Sequence, residues 1–381
     1  MKKFLALSVA VAALLLLTAC GSPSLKVLNW GEYINEDVVA AFEEATGIKV
    51  DIDEMGSNEE FYQAITAETT TYDIVIPSDY MIEKLVAEDL VQAIDYDLLD
   101  NYVSDEATFT DAVHQIQATM DPDTEGYYVP YFWGSFGLMY NVRTAGLETA
   151  LEASTEGGWD VYFNPDLRPL NTRVGMYDVA QYAYATALVY LGYEDFNLPP
   201  TTALLGETED ALIGAGFVSY GDDGLKRDIK DDNLDLAYVW TGDFLDMLYS
   251  DLASNPDSDG SFSYDEIIAR YNIFIPSPTM AFMDAMVIPS NAVNVGWAHE
   301  FIDWFLDPIN AMDNASIVGY ATPVQAAYDD ITSYVGSDPW LTDWARAYDD
   351  YYSELNGSPY ANLSEDDLQL LSDMFDVVKQ S

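Results

Sequence analysis

The sequence predicts an α/β protein of two lobes joined by crossing strands. A β-α-β pattern opens the body of the chain, and apolar strands recur that run straight into loops. About 360 residues follow an apolar leader, too many for a single core. In order, residues 26–30 (KVLNW) read as a short buried strand. Asn35 can cap a helix whose apolar Val38, Phe42 and Ala45 fall on one face, and Gly47 ends it. Residues 48–52 (IKVDI) alternate like a second strand, so the unit is the seed of a parallel sheet. A helix over 58–67 and a third strand at 73–78 (DIVIPS) follow. Further on, the pattern predicts a helix over 178–191, a strand at 234–240, a strand at 285–289 and a helix near 297–306. No internal repeat or low-complexity tract interrupts this series.

The leader has its own reading. Met1-Lys2-Lys3 precede an apolar run from Phe4 to Leu17 broken only by Ser8, and Thr18-Ala19 stand before Cys20. This is the anatomy of a cleavable secretory signal over residues 1–19. Cys20 is the one cysteine in the chain, and small residues before it form a lipobox, so it is the expected lipidation site with residues 20–25 as a tether. The expected product is exported and lipid-anchored to the cell membrane, facing periplasm or exterior. Past residue 20 no apolar stretch reaches membrane-spanning length, so attachment through the anchor alone is expected. With no second cysteine, an intrachain disulfide is excluded.

Charge narrows the partners. Removing Lys2 and Lys3 from the 14 basic residues leaves 12 against 66 acidic ones, a net of about −54. Such a field repels nucleic acid and anionic lipid and attracts cations. Most of it reads as a solvated acidic surface, so a cationic ligand has to be argued from a site. In open α/β sheets ligands lie beyond the carboxyl ends of strands, and Trp30-Gly31-Glu32-Tyr33 and Ser78-Asp79-Tyr80 occupy those places.

With these pieces placed, the chain resembles the spermidine/putrescine-binding proteins of bacterial ABC importers. The matching blocks are NWGEY (29–33), EEATGIKV (43–50), SNEEFY (57–62), YDIVIPSDY (72–80), VPYFWGSFGLMYN (129–141), LAYVWTGD (236–243), MDAMVIP (283–289) and VGYATP (318–323), in the family's order. The resemblance implies the two-lobed type II periplasmic-binding-protein fold, with a mostly parallel sheet in each lobe and a hinge between. It assigns residues 26–130 with about 283–328 to lobe 1, and 131–282 with about 329–381 to lobe 2. It also implies a polyamine ligand, an ABC permease as partner, a monomer and no catalysis. Carried over by residue, it puts Trp30, Glu32, Tyr33, Ser78 and Tyr80 on the first lobe's rim. Trp240 and Asp243 face them, Phe282 stands two residues before the amine-pairing Asp284, and Tyr320 completes an aromatic box.

The chemistry of such a ligand agrees with those residue types. A polyamine is a methylene chain with ammonium groups, so its site needs aromatic walls and carboxylates at the ends. Aromatic faces attract an ammonium by about 0.5–2 kcal/mol each, while a buried carboxylate is costly until a cation arrives. One departure stands out. Where the family carries a Glu before its LGY, this chain has Tyr182, and only Asp178 remains nearby to replace the missing carboxylates. Fewer carboxylates suit a shorter diamine such as putrescine; a binding protein for another amine, a zwitterion or a sugar is the alternative.

A second motif lies at 255–266. Asn255, Asp257, Asp259, Ser261 and Glu266 match ligand positions of a twelve-residue calcium loop, with Gly260 at the turn, although Asn replaces the usual first Asp and Pro256 follows it. Structural calcium is one expectation there and an acidic surface turn the other; no other cofactor is expected. Catalytic signatures are thin, since His114 and His299 lie in unrelated segments and neither a phosphate loop nor HExxH occurs. An extracellular acidic hydrolase would need one carboxylate pair in a cleft, and no candidate spacing stands out.

Overall fold

A computed structural model of the full chain describes residues 24–67, 69–222, 224–253, 263–336, 339–355 and 357–381. The sheet has the path β2-β1-β3-β10-β5-β8-β6-β7, with three further strands alongside. Its strands are β1 Ser24–Asn29, β2 Lys49–Glu54, β3 Ile74–Val75, β4 Val91–Gln92, β5 Tyr128–Asn141, β6 Val174–Tyr177, β7 Ser219–Gly221, β8 Leu236–Trp240, β9 Tyr271–Phe274, β10 Thr279–Pro289 and β11 Gly357–Pro359.

The opening unit forms as its pattern predicts. β1 pairs in parallel with β2 from Ser24↔Lys49 to Asn29↔Glu54, and with β3 at Val27↔Ile74. The connecting helix Glu36–Thr46 starts where the Asn35 side chain accepts the Asp37 N–H and ends at Gly47, whose φ of 77° is left-handed. It buries Val38 and Phe42 against the sheet. The next helix, Asn58–Thr66, is capped by Ser57 and buries Phe61 and Ile65. The strand expected over 73–78 is shorter, only Ile74 and Val75, because the chain turns at Pro77 and Ser78 into the helix Asp79–Ala87.

β5 and β10 exceed what the sequence pattern marks. β5 runs fourteen residues, every one buried, and β10 eleven, likewise buried throughout. An unbroken apolar run has no period-2 alternation, which is why neither reads at full length. The two pair with each other from Ala281↔Ser135 to Val287↔Tyr128. β10 then meets β3 at Val287↔Val75, while the far half of β5 meets β8 from Phe136↔Trp240 to Tyr140↔Leu236. These are the crossing strands: each carries the chain from one lobe's sheet into the other's, as the two-lobed α/β expectation requires.

Two apolar clusters flank this frame. One holds Leu25, Val27, Phe42, Ile74, Val287 and Phe301, and continues to Val239, Phe244 and Tyr348. The other packs Leu138, Tyr162, Val174, Leu188, Tyr238, Leu371 and Phe375 on the opposite side of the second lobe. Burial of so many aliphatic and aromatic side chains, roughly 1.5–3 kcal/mol each, is the main stabilising term. Among the described residues no helix is long and apolar enough to cross a membrane. The expected signal, lipidation and tether segments lie outside the described residues except for Ser24 and Leu25, which begin β1. Asn255, Asp257, Asp259 and Ser261 of the calcium-loop expectation also lie outside them. Glu266 is described, and its carboxylate accepts the Ser263 N–H at 2.9 Å in a capping box that starts the helix Tyr264–Ile268.

Candidate functional site

The carboxyl ends of β1 and β3 open onto the crossing strands, and a fault in β10 marks the spot. The β5–β10 register shifts between Asp284 and Ala285, a bulge that turns Asp284 away from the ladder and toward Ser78. The Asp284 carboxylate accepts the Ser78 hydroxyl at 2.6 Å on one oxygen and the Tyr33 hydroxyl at 2.8 Å on the other. Ser78 is itself fixed: its N–H donates to the Asn58 side chain and its hydroxyl accepts from the Asn58 amide, both at 3.0 Å. The same amide donates to the Tyr80 hydroxyl at 2.8 Å. Asn58 therefore ties together two of the sequence-predicted site residues, although its place at a helix start gave it only a local role.

Asp79 is a second buried carboxyl beside Asp284. It accepts the Tyr80 N–H at 2.7 Å and the Met283 N–H at 2.8 Å, one residue before Asp284. Burial pushes Asp284 up to about 7, against the lowering effect of Ser78 and Tyr33. Burial likewise pushes Asp79 up to about 8; its two backbone N–H bonds lower it, and the Asp284 charge raises it further. Among the described residues no cation stands among the causes that shift either group. Two buried carboxyls side by side make a corner that a cation would stabilise.

Aromatic rings form the walls. Tyr33 stands edge-on to Tyr131, Phe132 and Tyr320 at 5.2–5.8 Å. Phe282 meets Tyr320 at 5.6 Å and Trp240 at 4.6 Å, which brings these three rings together at the crossing strands. Trp240 stacks on Phe136 and stands edge-on to Tyr182 at 5.7 Å, and Tyr182 stacks on Tyr360 at 4.6 Å. Two glycines let the rings close in. A Cβ at Gly134 would lie 2.8 Å from the Phe282 ring, and one at Gly242 would lie 2.4 Å from that of Tyr320. Tyr182, the residue in place of the family's Glu, is half-buried, and its hydroxyl pKa is raised by desolvation and then by the charge of Asp284. It therefore faces the Asp284 corner from the other lobe as a neutral phenol.

Other predicted residues are placed differently. Trp30 is half-buried on Phe61, with its indole N–H donating to the Ile76 carbonyl at 2.8 Å. Glu32 is exposed, with a left-handed φ of 54°. Asp243 is buried but paired with the Lys226 ammonium at 3.1 Å. Asp178, the candidate replacement for the missing carboxylates, is half-exposed and bound to Lys379 of the C-terminal helix at 2.9 Å. Neither aspartate joins the Asp284 corner. Asn58, Asp79, Phe136 and Tyr360 belong to the site without having been marked. Asp79 sat in plain view in the SDY run, whereas Tyr360 reaches the cleft from the C-terminal tail, which no local pattern reveals.

A family model described as bacterial extracellular solute-binding protein matches residues 37–347. The chain belongs to this family of bacterial extracellular solute-binding proteins. Among curated relatives, the putrescine-binding periplasmic protein PotF of Escherichia coli is 27% identical over 328 residues, 85% of this chain and 84% of PotF. The spermidine/putrescine-binding periplasmic protein of Salmonella typhimurium is 25% identical over 355 residues, covering 88% and 92%. Among solved structures, the spermidine/putrescine ABC transporter substrate-binding protein PotD of Streptococcus pneumoniae, crystallised with calcium and HEPES, has a TM-score of 0.69 at 27% identity. That match covers 94% of this solute-binding protein and 99% of PotD.

Proposed function

We propose that this protein binds a polyamine, putrescine by preference, in the cleft at Asp284 and delivers it to an ABC importer. The observation that carries the reading is the buried Asp284–Asp79 pair, held by Ser78, Tyr33 and Met283 with no cation on it among the described residues, beside the rings of Tyr33, Trp240, Phe282 and Tyr320. An ammonium supplies the missing charge, the rings take its methylene chain and add cation–π attraction, and water is excluded. The named relatives bind putrescine or spermidine, which supports the same ligand class.

The rest of the proposal concerns delivery. Lobe 1 is residues 26–130 with about 283–328, lobe 2 is 131–282 with about 329–381, and β5 and β10 carry the hinge about which the lobes close on the ligand. Lipidation at Cys20 holds this monomer beside its permease. For the 255–266 loop both readings stand, an acidic surface turn or a structural calcium site whose loss would lower stability and leave amine binding intact. No chemistry is performed on the ligand.

Thermal shift with a panel of amines, zwitterions and sugars tests the ligand class. Saturating putrescine or spermidine should raise the melting temperature by several degrees, since a ligand at 100 times its Kd adds about 2.7 kcal/mol. A shift with a sugar and none with any amine would overturn the assignment.

A further inference from the structure

The cleft's acidic groups differ in what neutralises them. At Asp284 the acting groups are burial and the Ser78 and Tyr33 hydroxyls. At Asp243, which the resemblance sets facing the first lobe, the Lys226 ammonium, its side chain 11% exposed, donates to the carboxylate, itself 6% exposed, at 3.1 Å and approaches Asp246 at 3.5 Å. Asp243 directly follows Gly242, whose backbone is pressed on the Tyr320 ring, and lies three residues past Trp240. Of the two positions that the sequence offered for a further carboxylate, Asp178 is bound to Lys379 and position 182 is a tyrosine.

We infer that Lys226 is a built-in ammonium that occupies the charge of Asp243, so that the cleft pairs a single ligand ammonium, at Asp284, and selects a primary alkylamine by its chain and not by a second charge. The inference rests on the reading that an amine binds at Asp284.

The physical case runs from the lysine outward. Lys226 lies on the short helix Gly224–Lys230, between the buried Leu225 and the half-turn leading to buried Ile229. An ammonium so placed is costly unless it is paired, and Asp243 supplies the pair. A ligand ammonium reaching for Asp243 would meet Lys226 at close range as a like charge, which disfavours both. The second charge of a diamine is then left to the rings of Trp240 and Tyr182, a weaker attraction than a buried carboxylate offers.

Titration calorimetry at pH 8 tests this with putrescine, spermidine and 4-amino-1-butanol, which keeps the four-carbon chain and one ammonium. The wild type should bind 4-amino-1-butanol within about threefold of putrescine, and spermidine at least about tenfold more weakly. Lys226→Met releases Asp243 and should shift the preference toward putrescine by about tenfold or more. Lys226→Met/Asp243→Asn removes both charges together and serves if the single variant does not fold; its putrescine-to-aminobutanol ratio should match the wild type. A wild-type preference for putrescine of about 100-fold, falling in the double variant, would overturn the inference while leaving the amine reading intact. Failure of all three amines to bind the wild type would overturn both.

Discussion

Asp284 and Asp243 are both buried aspartates, and they differ in what stands beside them. Asp243 has a lysine at 3.1 Å, whereas Asp284 has hydroxyls and a second carboxyl. A paired aspartate is at rest. An aspartate whose partners are Ser78, Tyr33 and Asp79 is held ready but uncompensated, and burial keeps it partly protonated near neutral pH. The difference teaches where a ligand's charge must go: to the end where the protein has left it out.

The largest expected effect breaks the comparison at its strong end. Asp284→Asn should weaken putrescine at least about 100-fold, since removing one partner of a buried charge pair costs about 2–5 kcal/mol. The same variant should leave the unliganded protein at least as stable at pH 8, because the charge removed there has no partner. Calorimetry and a thermal melt read both, and a loss of fold would show Asp284 to be structural instead. Next in size is the aromatic wall. Trp240→Ala removes a ring that meets Phe136, Phe282 and Tyr182, and should weaken amine binding about tenfold, within the range of cation–π and packing losses.

A smaller effect follows from the raised carboxyls. Asp284 and Asp79 titrate at about 7 and about 8 in the folded protein, against ordinary values near 3.8. The native state thus keeps protons that the unfolded chain has already released. The stabilising contribution is complete below about pH 4 and is lost as pH rises through 7 to 8. Melting temperature of the unliganded protein should therefore fall over that window, and saturating putrescine should flatten the decline. The smallest effect is at the surface. Asp178→Ala breaks a half-exposed ion pair with Lys379, worth about 0–1 kcal/mol, and should change putrescine affinity by less than about threefold. A large loss there would mean that Asp178 leaves Lys379 for the ligand.

Much of this was legible before the structure. The strand ends at Trp30 to Tyr33 and Ser78 to Tyr80 follow from apolar periodicity, whereas Phe282 and Asp284 were marked by the resemblance to the polyamine-binding family. What the sequence hides is pairing at a distance. Asp243 and Asp178 look like ligand carboxylates until Lys226 and Lys379 are brought beside them, from 17 and 201 positions away. The bulge at Asp284 depends on how β5 registers against β10, and a continuous apolar strand carries no mark of its register. Tyr182 was visible as the place of a missing carboxylate, and only packing shows it as part of the wall.

The most direct test counts protons. Putrescine titrated near pH 7 in two buffers of different ionisation enthalpy reports how many protons leave the protein on binding. If an ammonium settles on the Asp284–Asp79 corner, binding expels a proton held there, and release should approach one per ligand at pH 6 to 7 and fade toward pH 9. Tight binding with no proton release at any pH in that range would contradict the account.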